Sequence, residues 1–272
     1  MSQYLILNSF NARGLGDGRK RRCNFKWLKK LHPGVCLLQE THSTEAIEST
    51  WNKEWGSQIF FSHGSTKSKG VAVLFPAGMG YKVNNVLRDD NGRYIILDID
   101  FEHSNVILLN VYAPTKDKIH EQLNFLQQLQ TLLINYQDRN IVLAGDFNTY
   151  LNHLKDKKGG RAETLSDYSR QLKSSIDELG LADVWRVANP DESRFTWRNY
   201  TRGGFVQSRI DYFFISTHML YDLAESDIKP GIKSDHSLLK LKFKFTDEHV
   251  RGKGFWKFNS SLLYDKDYVN YC

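Results

Sequence analysis

The sequence predicts an α/β fold in one domain, with two β-sheets packed face to face and helices on their outer sides. Three observations carry that prediction. Both halves of the 272 residues hold strand-length apolar runs with helix-length amphipathic runs between them, and no stretch of linker composition divides the halves. Apolar residues make up 40% and aromatics 13%, enough for a sizeable core. Several apolar runs end on a carboxylate or carboxamide, as strands do when they carry polar groups to the rim of an α/β sheet.

Residues 4–11 read as a strand that runs out into Ala12-Arg13-Gly14-Leu15-Gly16. A helix follows, with Cys23, Trp27 and Leu31 at i, i+4 and i+8 and Pro33-Gly34 closing it. Its outer face carries Arg19, Lys20, Arg21, Arg22, Lys26, Lys29 and Lys30, a solvated face first and a nuclear-import or DNA patch second. Residues 35–40 form a second strand, ending at Glu40. The runs 59–61, 71–75, 81–87 and 93–101 come at short spacing, several alternating with period two, and predict an antiparallel meander.

Residues 105–112 are another strand, stopped by Ala113-Pro114, and Ile119, Leu123, Leu126 and Leu133 mark a helix over 117–136. That helix leads into Asn140-Ile141-Val142-Leu143-Ala144-Gly145-Asp146-Phe147-Asn148. Asp146 is a candidate base or cation ligand, and Asn148 points to the same side if the chain stays extended. Residues 155–161 read as a basic, flexible loop. Leu172, Ile176 and Leu179 give a helix with Gly180 as its C-terminal cap. Residues 194–198, the Gly203-Gly204 turn and 205–215, with Asp211 inside, give a hairpin. The last strand is 238–245, behind Lys233-Ser234-Asp235-His236. The tail 252–272 is aromatic without a clear period and reads as a linker or the start of a further unit.

Composition narrows the class. The net charge of +6 points to a polyanionic partner and says nothing of fold. Three cysteines, odd in number and without metal-ligand spacing, predict a reduced compartment. No signal-peptide pattern is present, and no apolar run approaches the roughly 18 residues of a membrane span, so no membrane partner is expected.

Glu40, Asp146, Asp211 and Asp235 stand at or near strand ends, with Asn11, Asn148 and His236. An oxygen-rich set with little His and no Cys suits a hard cation such as Mg²⁺ rather than zinc. Phosphate-ester cleavage needs a nucleophile made from water, neutralisation of the transition-state charge and help for the leaving oxygen, and such a set covers all three. Each residue alone is explained by a solvated turn, a cap or a surface acid. Their shared placement argues for one site.

Six motifs, in order, resemble the endonuclease/exonuclease/phosphatase superfamily: Ser9-Phe10-Asn11, Leu38-Gln39-Glu40-Thr41, Asn110-Val111-Tyr112-Ala113-Pro114, Gly145-Asp146-Phe147-Asn148, Ser208-Arg209-Ile210-Asp211-Tyr212 and Ser234-Asp235-His236. Within it the chain most resembles the apurinic-endonuclease-like domain of non-LTR (LINE-type) retrotransposons. Phe195-Thr196-Trp197-Arg198 and Gly254-Phe255-Trp256-Lys257-Phe258-Asn259 carry that finer likeness. The resemblance covers about residues 4–245. It implies a DNase I-like four-layer α/β sandwich of two packed mixed β-sheets flanked by helices, with residues 1–246 as the endonuclease domain. Residues 247–272 would then be an extension toward a downstream reverse transcriptase domain of the same polyprotein.

The resemblance implies a role for each matching position. Glu40 is the expected principal Mg²⁺ ligand, with Mn²⁺ able to substitute, and Asn11 helps to fix it. Asp146 orients or deprotonates the attacking water, and Asn148 donates to the scissile phosphate. His236 binds a non-bridging oxygen, oriented by Asp211, and the adjacent carboxylate favours the imidazolium. Asp235 sits beside the metal or leaving group, and Tyr112 hydrogen-bonds the phosphate. Thr196 and Ser208 are expected on the DNA backbone, and the 198–207 hairpin, with Arg198 at its start and Arg202 at its tip, is a candidate groove probe. Thr115 departs from the family, whose members often carry an Asn there.

The function so implied is Mg²⁺-dependent nicking of one strand of double-stranded DNA, leaving a 3′-hydroxyl for target-primed reverse transcription in the nucleus; the cluster from Arg19 to Arg22 adds little to that location. Alternatives are an abasic-site repair endonuclease and a non-catalytic nucleic-acid-binding module. An inositol-phosphate phosphatase is disfavoured, because Asn148-Thr149-Tyr150 and Ser208-Arg209-Ile210-Asp211 replace the Asn-x-Arg and Cys-Asp-Arg it would carry.

Overall fold

Two central pairs of parallel strands set the architecture. β1 (Tyr4–Asn11) lies parallel to β2 (Val35–Gln39), and β7 (Ser104–Tyr112) lies parallel to β8 (Ile141–Asp146). Each pair is bridged by a crossover helix, α1 (Gly18–Leu31) in the first and α3 (Ile119–Ile134) in the second. The computed structural model describes residues 4–244 apart from 32, 33, 103, 161–163, 202 and 203.

β3 (Ile59–Ser62) and β4 (Val71–Leu74) extend the first sheet on one side. β14 (Leu223–Lys229) and β15 (Leu238–Lys244) extend it on the other, giving the order β14-β15-β1-β2-β4-β3. The second sheet adds β5 (Tyr81–Arg88), β6 (Tyr94–Phe101), β10 (Leu181–Asp183) and β13 (Asp211–Ser216), in the order β10-β13-β8-β7-β6-β5. A small third sheet joins β9 (Lys157–Lys158), β11 (Trp197–Thr201) and β12 (Gly204–Ser208).

Side-chain alternation explains the layering. In β7, Val106 and Leu108 face the first sheet and pack with Leu7, Val35, Leu37 and Val73 in the central core. Ile107 and Leu109 face the other way, under Leu126, Leu129 and Leu133 of α3 and Leu172 and Ile176 of α5 (Asp167–Glu178). On the far side, Phe10, Cys36, Leu38 and Ala72 lie under Phe25 and Leu28 of α1 and Trp51 and Trp55 of α2 (Glu48–Trp55). Both sheets are covered on both faces, so their central strands are almost continuously buried and mostly apolar, with polar residues such as Asn8, Ser9, Asn11, Gln39 and Asn110 among them. The result is the expected four-layer sandwich of two mixed sheets, with each fully buried aliphatic side chain contributing roughly 1.5–3 kcal/mol.

The structure corrects several expectations. The buried stripe of α1 is Arg21, Asn24, Phe25 and Leu28, with Cys23 and Trp27 half-buried at its flank. Arg21 is inside because Glu54 accepts its Nε–H at 2.6 Å and its guanidinium lies 5.2 Å over the Trp51 ring. The predicted meander is split, since β3 and β4 finish the first sheet while β5, β6 and β7 form a meander in the second. The run 205–215 is two strands, broken at Arg209-Ile210, because β12 pairs in the small sheet and β13 in the second. The basic stretch is not a plain loop, because α4 (His153–Asp156) runs directly into β9 there. Four elements had no apolar signal strong enough to show: α2, β10, α6 (Val184–Ala188) and the half-exposed edge strand β14. The extension 247–272 and Arg202 lie outside the described residues.

Candidate active site

The two parallel pairs end at one edge of the sandwich, and their ends supply the polar groups. Asp146, last in β8, is the register partner of Asp211, first in β13, and both are buried. Gly145 makes this possible: at φ 139°, a Cβ there would run into the Val111 carbonyl oxygen of the neighbouring strand. His236 precedes β15 and bridges to β11 through Trp197.

His236 Nδ1 stands 2.9 Å from Asp211 Oδ2 and 3.1 Å from Oδ1. Its Nε2 is 3.8 Å from Asp146 Oδ2. Asp146 Oδ1 accepts the Asn148 amide N–H at 2.8 Å, and Oδ2 accepts Asn11 Nδ2 at 2.8 Å. The same Asn11 nitrogen donates to Glu40 Oε1 at 3.0 Å, and Asn11 Oδ1 accepts the Arg13 amide. Asn11 therefore ties the β2 carboxylate to the β8 carboxylate across the two sheets. The Tyr112 phenol lies beside Glu40, and His42 Nε2 approaches Glu40 Oε2 at 3.7 Å.

The chain does not stay extended past Asp146. Asn148 adopts φ 51°, and its Nδ2 donates to the Ala113 carbonyl at 2.8 Å. It nevertheless lines the same cavity as Asp146, of about 760 Å³, along with Glu40, Tyr112, Asp235, His236, Ser208 and Thr115. Asp235 Oδ2 accepts Trp197 Nε1 at 3.1 Å. Asn11 and Asp211 lie behind the wall. Thr196 is wholly buried, and its hydroxyl accepts the amides of Ile210 and Asp211 at 3.0 and 3.1 Å, so it supports the Asp211 strand rather than facing DNA. Arg198 is exposed at the base of the hairpin, donating to Ser237 Oγ at 2.9 Å.

Electrostatics divides the carboxylates into two kinds. Burial pushes Glu40 up, but the neighbouring His42 ring, the Asn11 hydrogen bond, the Tyr112 phenol and the His236 charge outweigh it and bring the group down to about 2. Burial and the Asp211 charge raise Asp146, against His236, the Asn148 amide and Asn11. Burial pulls His236 down, yet the charge and hydrogen bond of Asp211, with Asp146 and Asp235, raise it to about 9. The site thus holds one firmly ionised carboxylate, one carboxylate suited to take a proton near neutrality, and one imidazolium.

A metal ion fits the donor chemistry. Glu40 is ionised on the cavity wall and tied through Asn11 to Asp146. Asp146, Asp211 and His236 bring polar atoms within 4.8 Å of one another, of which the carboxylate oxygens can hold a cation while the imidazolium offers N–H groups. Because Asn11 turns its nitrogen to the carboxylates, it clamps Glu40 rather than offering its oxygen as a ligand.

Sequence reasoning passed over several supports. Gln39 Nε2 donates to Asn110 Oδ1 at 2.6 Å, and Asn110 Nδ2 donates to the carbonyls of Leu38 and Ala72, a buried carboxamide link between the sheets beneath Glu40. Arg93 lies 5.2 Å over the Tyr112 ring. Gln39, Asn110 and Trp197 all stood inside recognised motifs, which was the available signal; Arg93 had none.

The profile of the endonuclease/exonuclease/phosphatase family matches residues 7–236. The chain belongs to that family. It is a nuclease, a hydrolase of phosphate esters. The transposon TX1 uncharacterized 149 kDa protein of Xenopus laevis is 30% identical over 266 residues, covering 97% of this chain. The chain spans only 20% of that relative's length. The exodeoxyribonuclease of Bacillus subtilis (strain 168) is 25% identical, covering 86% of this chain and 98% of its own. The DNA repair nuclease APEX1 of Danio rerio is 26% identical, covering 86% and 81%. The fold is that of the AP endonuclease LMAP from Leishmania major, with a TM-score of 0.76 at 14% identity over 90% of this chain and 89% of that one. An AP endonuclease from Archaeoglobus fulgidus superposes with a TM-score of 0.67 at 22% identity, over 89% and 100%. Likeness to both a transposon protein and AP endonucleases fits the apurinic-endonuclease-like retrotransposon domain that the motifs resemble.

Proposed function

We propose that this nuclease nicks one strand of double-stranded DNA with Mg²⁺, or Mn²⁺ in its place, and leaves a 3′-hydroxyl that primes reverse transcription in retrotransposition. The observation that carries the reading is the convergence of Glu40 from one sheet with Asp146 and His236 in one cavity, Asp211 backing the His236 ring, on a chain matched over 97% of its length to a transposon protein. Glu40 would hold the metal, which supplies neutralisation of phosphate charge. Asp146, with its raised affinity for a proton, takes one from the attacking water. His236 donates Nε2–H to a non-bridging oxygen while Asp211 holds Nδ1, and Asn148 and Tyr112 position the same phosphate. The water oxygen bonds to phosphorus, the bond to the 3′ oxygen breaks, and that oxygen leaves beside Asp235 and takes its proton from solvent. A reverse transcriptase downstream and action in the nucleus follow from this reading.

Relaxation of supercoiled plasmid in Mg²⁺ but not in EDTA is expected, with nicked ends that a polymerase extends directly. Asp146→Ala and His236→Ala should abolish nicking with little loss of binding; nicking retained in both would refute the site. Similarity to proteins named AP endonucleases favours a second reading, abasic-site repair. Cutting confined to an abasic duplex, with intact duplex untouched, would establish it. Binding without any metal-dependent cutting would indicate a non-catalytic module.

A further inference from the structure

Arg13 follows β1 and lines the cavity mouth with Glu40 and Asp235. Its backbone is tied on both sides. Its amide donates to Asn11 Oδ1 at 3.0 Å, its carbonyl accepts Lys20 Nζ at 2.7 Å, and the next amide, of Gly14, donates to the Glu40 carbonyl at 2.7 Å. The chain adopts φ 49° at Arg13, a left-handed conformation that glycine takes without strain and a branched-off side chain does not. The side chain therefore departs from a fixed point beside the candidate metal ligand, while 61% of it remains exposed.

Its guanidinium meets Asp235 through one contact, Nη1 to Oδ2 at 3.3 Å, and that oxygen also accepts from Trp197. An ion pair this exposed contributes little to stability. A phosphate offers the planar guanidinium two parallel hydrogen bonds, which is the stronger arrangement. The cavity mouth, moreover, presents Glu40, Asp146 and Asp235 to an incoming phosphodiester, so a cation there offsets a repulsion. His236 and Asn148 are placed deeper for the scissile group, which leaves the rim arginine to the neighbouring one.

Resting on the endonuclease reading above, we propose that Arg13 is a phosphate-binding arm. It is parked on Asp235 in the free protein and transfers to a backbone phosphate flanking the scissile one when DNA binds. Neither its exposure nor its single contact suits a structural ion pair.

The test measures binding of a fluorescent intact duplex by the whole chain in EDTA, across a series of salt concentrations. Arg13→Ala should lower the slope of log K against log salt by about 0.9, the loss of one phosphate contact. Affinity should fall several-fold at low salt, while the thermal midpoint stays at the wild-type value. Arg13→Lys should restore the slope, because a point charge still reaches phosphate, and in the nicking assay Arg13→Ala should raise KM more than it lowers kcat. A wild-type slope and affinity in Arg13→Ala would overturn the inference and leave the pair with Asp235 structural. Wild-type protein that fails to bind duplex at all would overturn the endonuclease reading, and the inference with it.

Discussion

Asp146 and Asp211 face each other across β8 and β13, and His236 lies between them with one ring nitrogen toward each. Two buried carboxylates side by side repel, and the imidazolium answers both. Because the His236 value is raised from 6.5 to about 9, its contribution to folding is fully present below pH 6.5 and is lost as pH rises through 9. At ~1.4 kcal/mol per pH unit the contribution is about 3 kcal/mol. The stability gap between wild type and His236→Gln, from denaturant unfolding at pH 6 and at pH 9.5, should therefore close by about that amount. A gap independent of pH would mean that folding leaves the His236 ring's affinity for a proton unchanged.

The fold class and the side chains that converge at the candidate site were legible in the sequence, whereas strand partners were not, for a physical reason. Glu40, Asp146, Asp211 and His236 announced themselves because each ends or precedes a strand whose apolar run is visible in the sequence, and a run buried on both faces is hard to miss. Asn148 shows the limit. The pleat of a strand predicts its side, but the left-handed turn at φ 51° is a local backbone event with no period to read. Arg21 and Thr196 failed in the opposite sense. Both are polar and read as surface or DNA contacts, whereas their partners, Glu54 and the Ile210 and Asp211 amides, lie far off in sequence. The division of strands between sheets was equally hidden, since periodicity reports burial but not which neighbour a strand chooses.

Asn11 is the joint between the sheets at the site, one amide nitrogen shared by Glu40 and Asp146. Asn11→Asp would replace that donor with a third carboxylate among two others, and Asn11→Ala would leave both acceptors without it. Both variants should weaken Mn²⁺ binding, measured calorimetrically without DNA, by at least about tenfold, as loss of a ligand-orienting partner does. The aspartate should be the worse in thermal stability, because it adds charge repulsion. Wild-type Mn²⁺ affinity in Asn11→Ala would show that Glu40 needs no clamp.

Thr196 accepts two buried amides with one hydroxyl, directly behind Asp211. Thr196→Val keeps the shape and removes the acceptor, leaving both N–H groups unsatisfied at about 1–3 kcal/mol each. For a domain of this size that corresponds to a fall in Tm of roughly 4–24 °C. Thr196→Ser should recover most of it. A DNA contact would behave otherwise, raising KM without lowering Tm, so calorimetry and nicking kinetics on the same preparation separate the two roles.

Arg209 anchors the strand junction between the hairpin and Asp211. Its guanidinium is buried, with Nε 2.8 Å from Asp156 Oδ1 and Nη2 2.6 Å from Asp183 Oδ2, and it lies 4.6 Å over the Tyr212 ring. Asp156 itself is fully buried and ends α4, where the chain turns into β9 beside the hairpin. Arg209→Met would leave Asp156 with Arg186, at 2.7 Å, as its one remaining cation beside the Asn152 amide, and Asp183 with the Arg186 amide but without a cation. Breaking a buried pair from one side costs about 3–5 kcal/mol, so the midpoint of unfolding should fall by about 6–20 °C. The loss should exceed that of Arg198→Met, whose guanidinium is exposed and holds a single hydroxyl. Equal midpoints for the two variants would show that the buried network contributes no more than a surface contact.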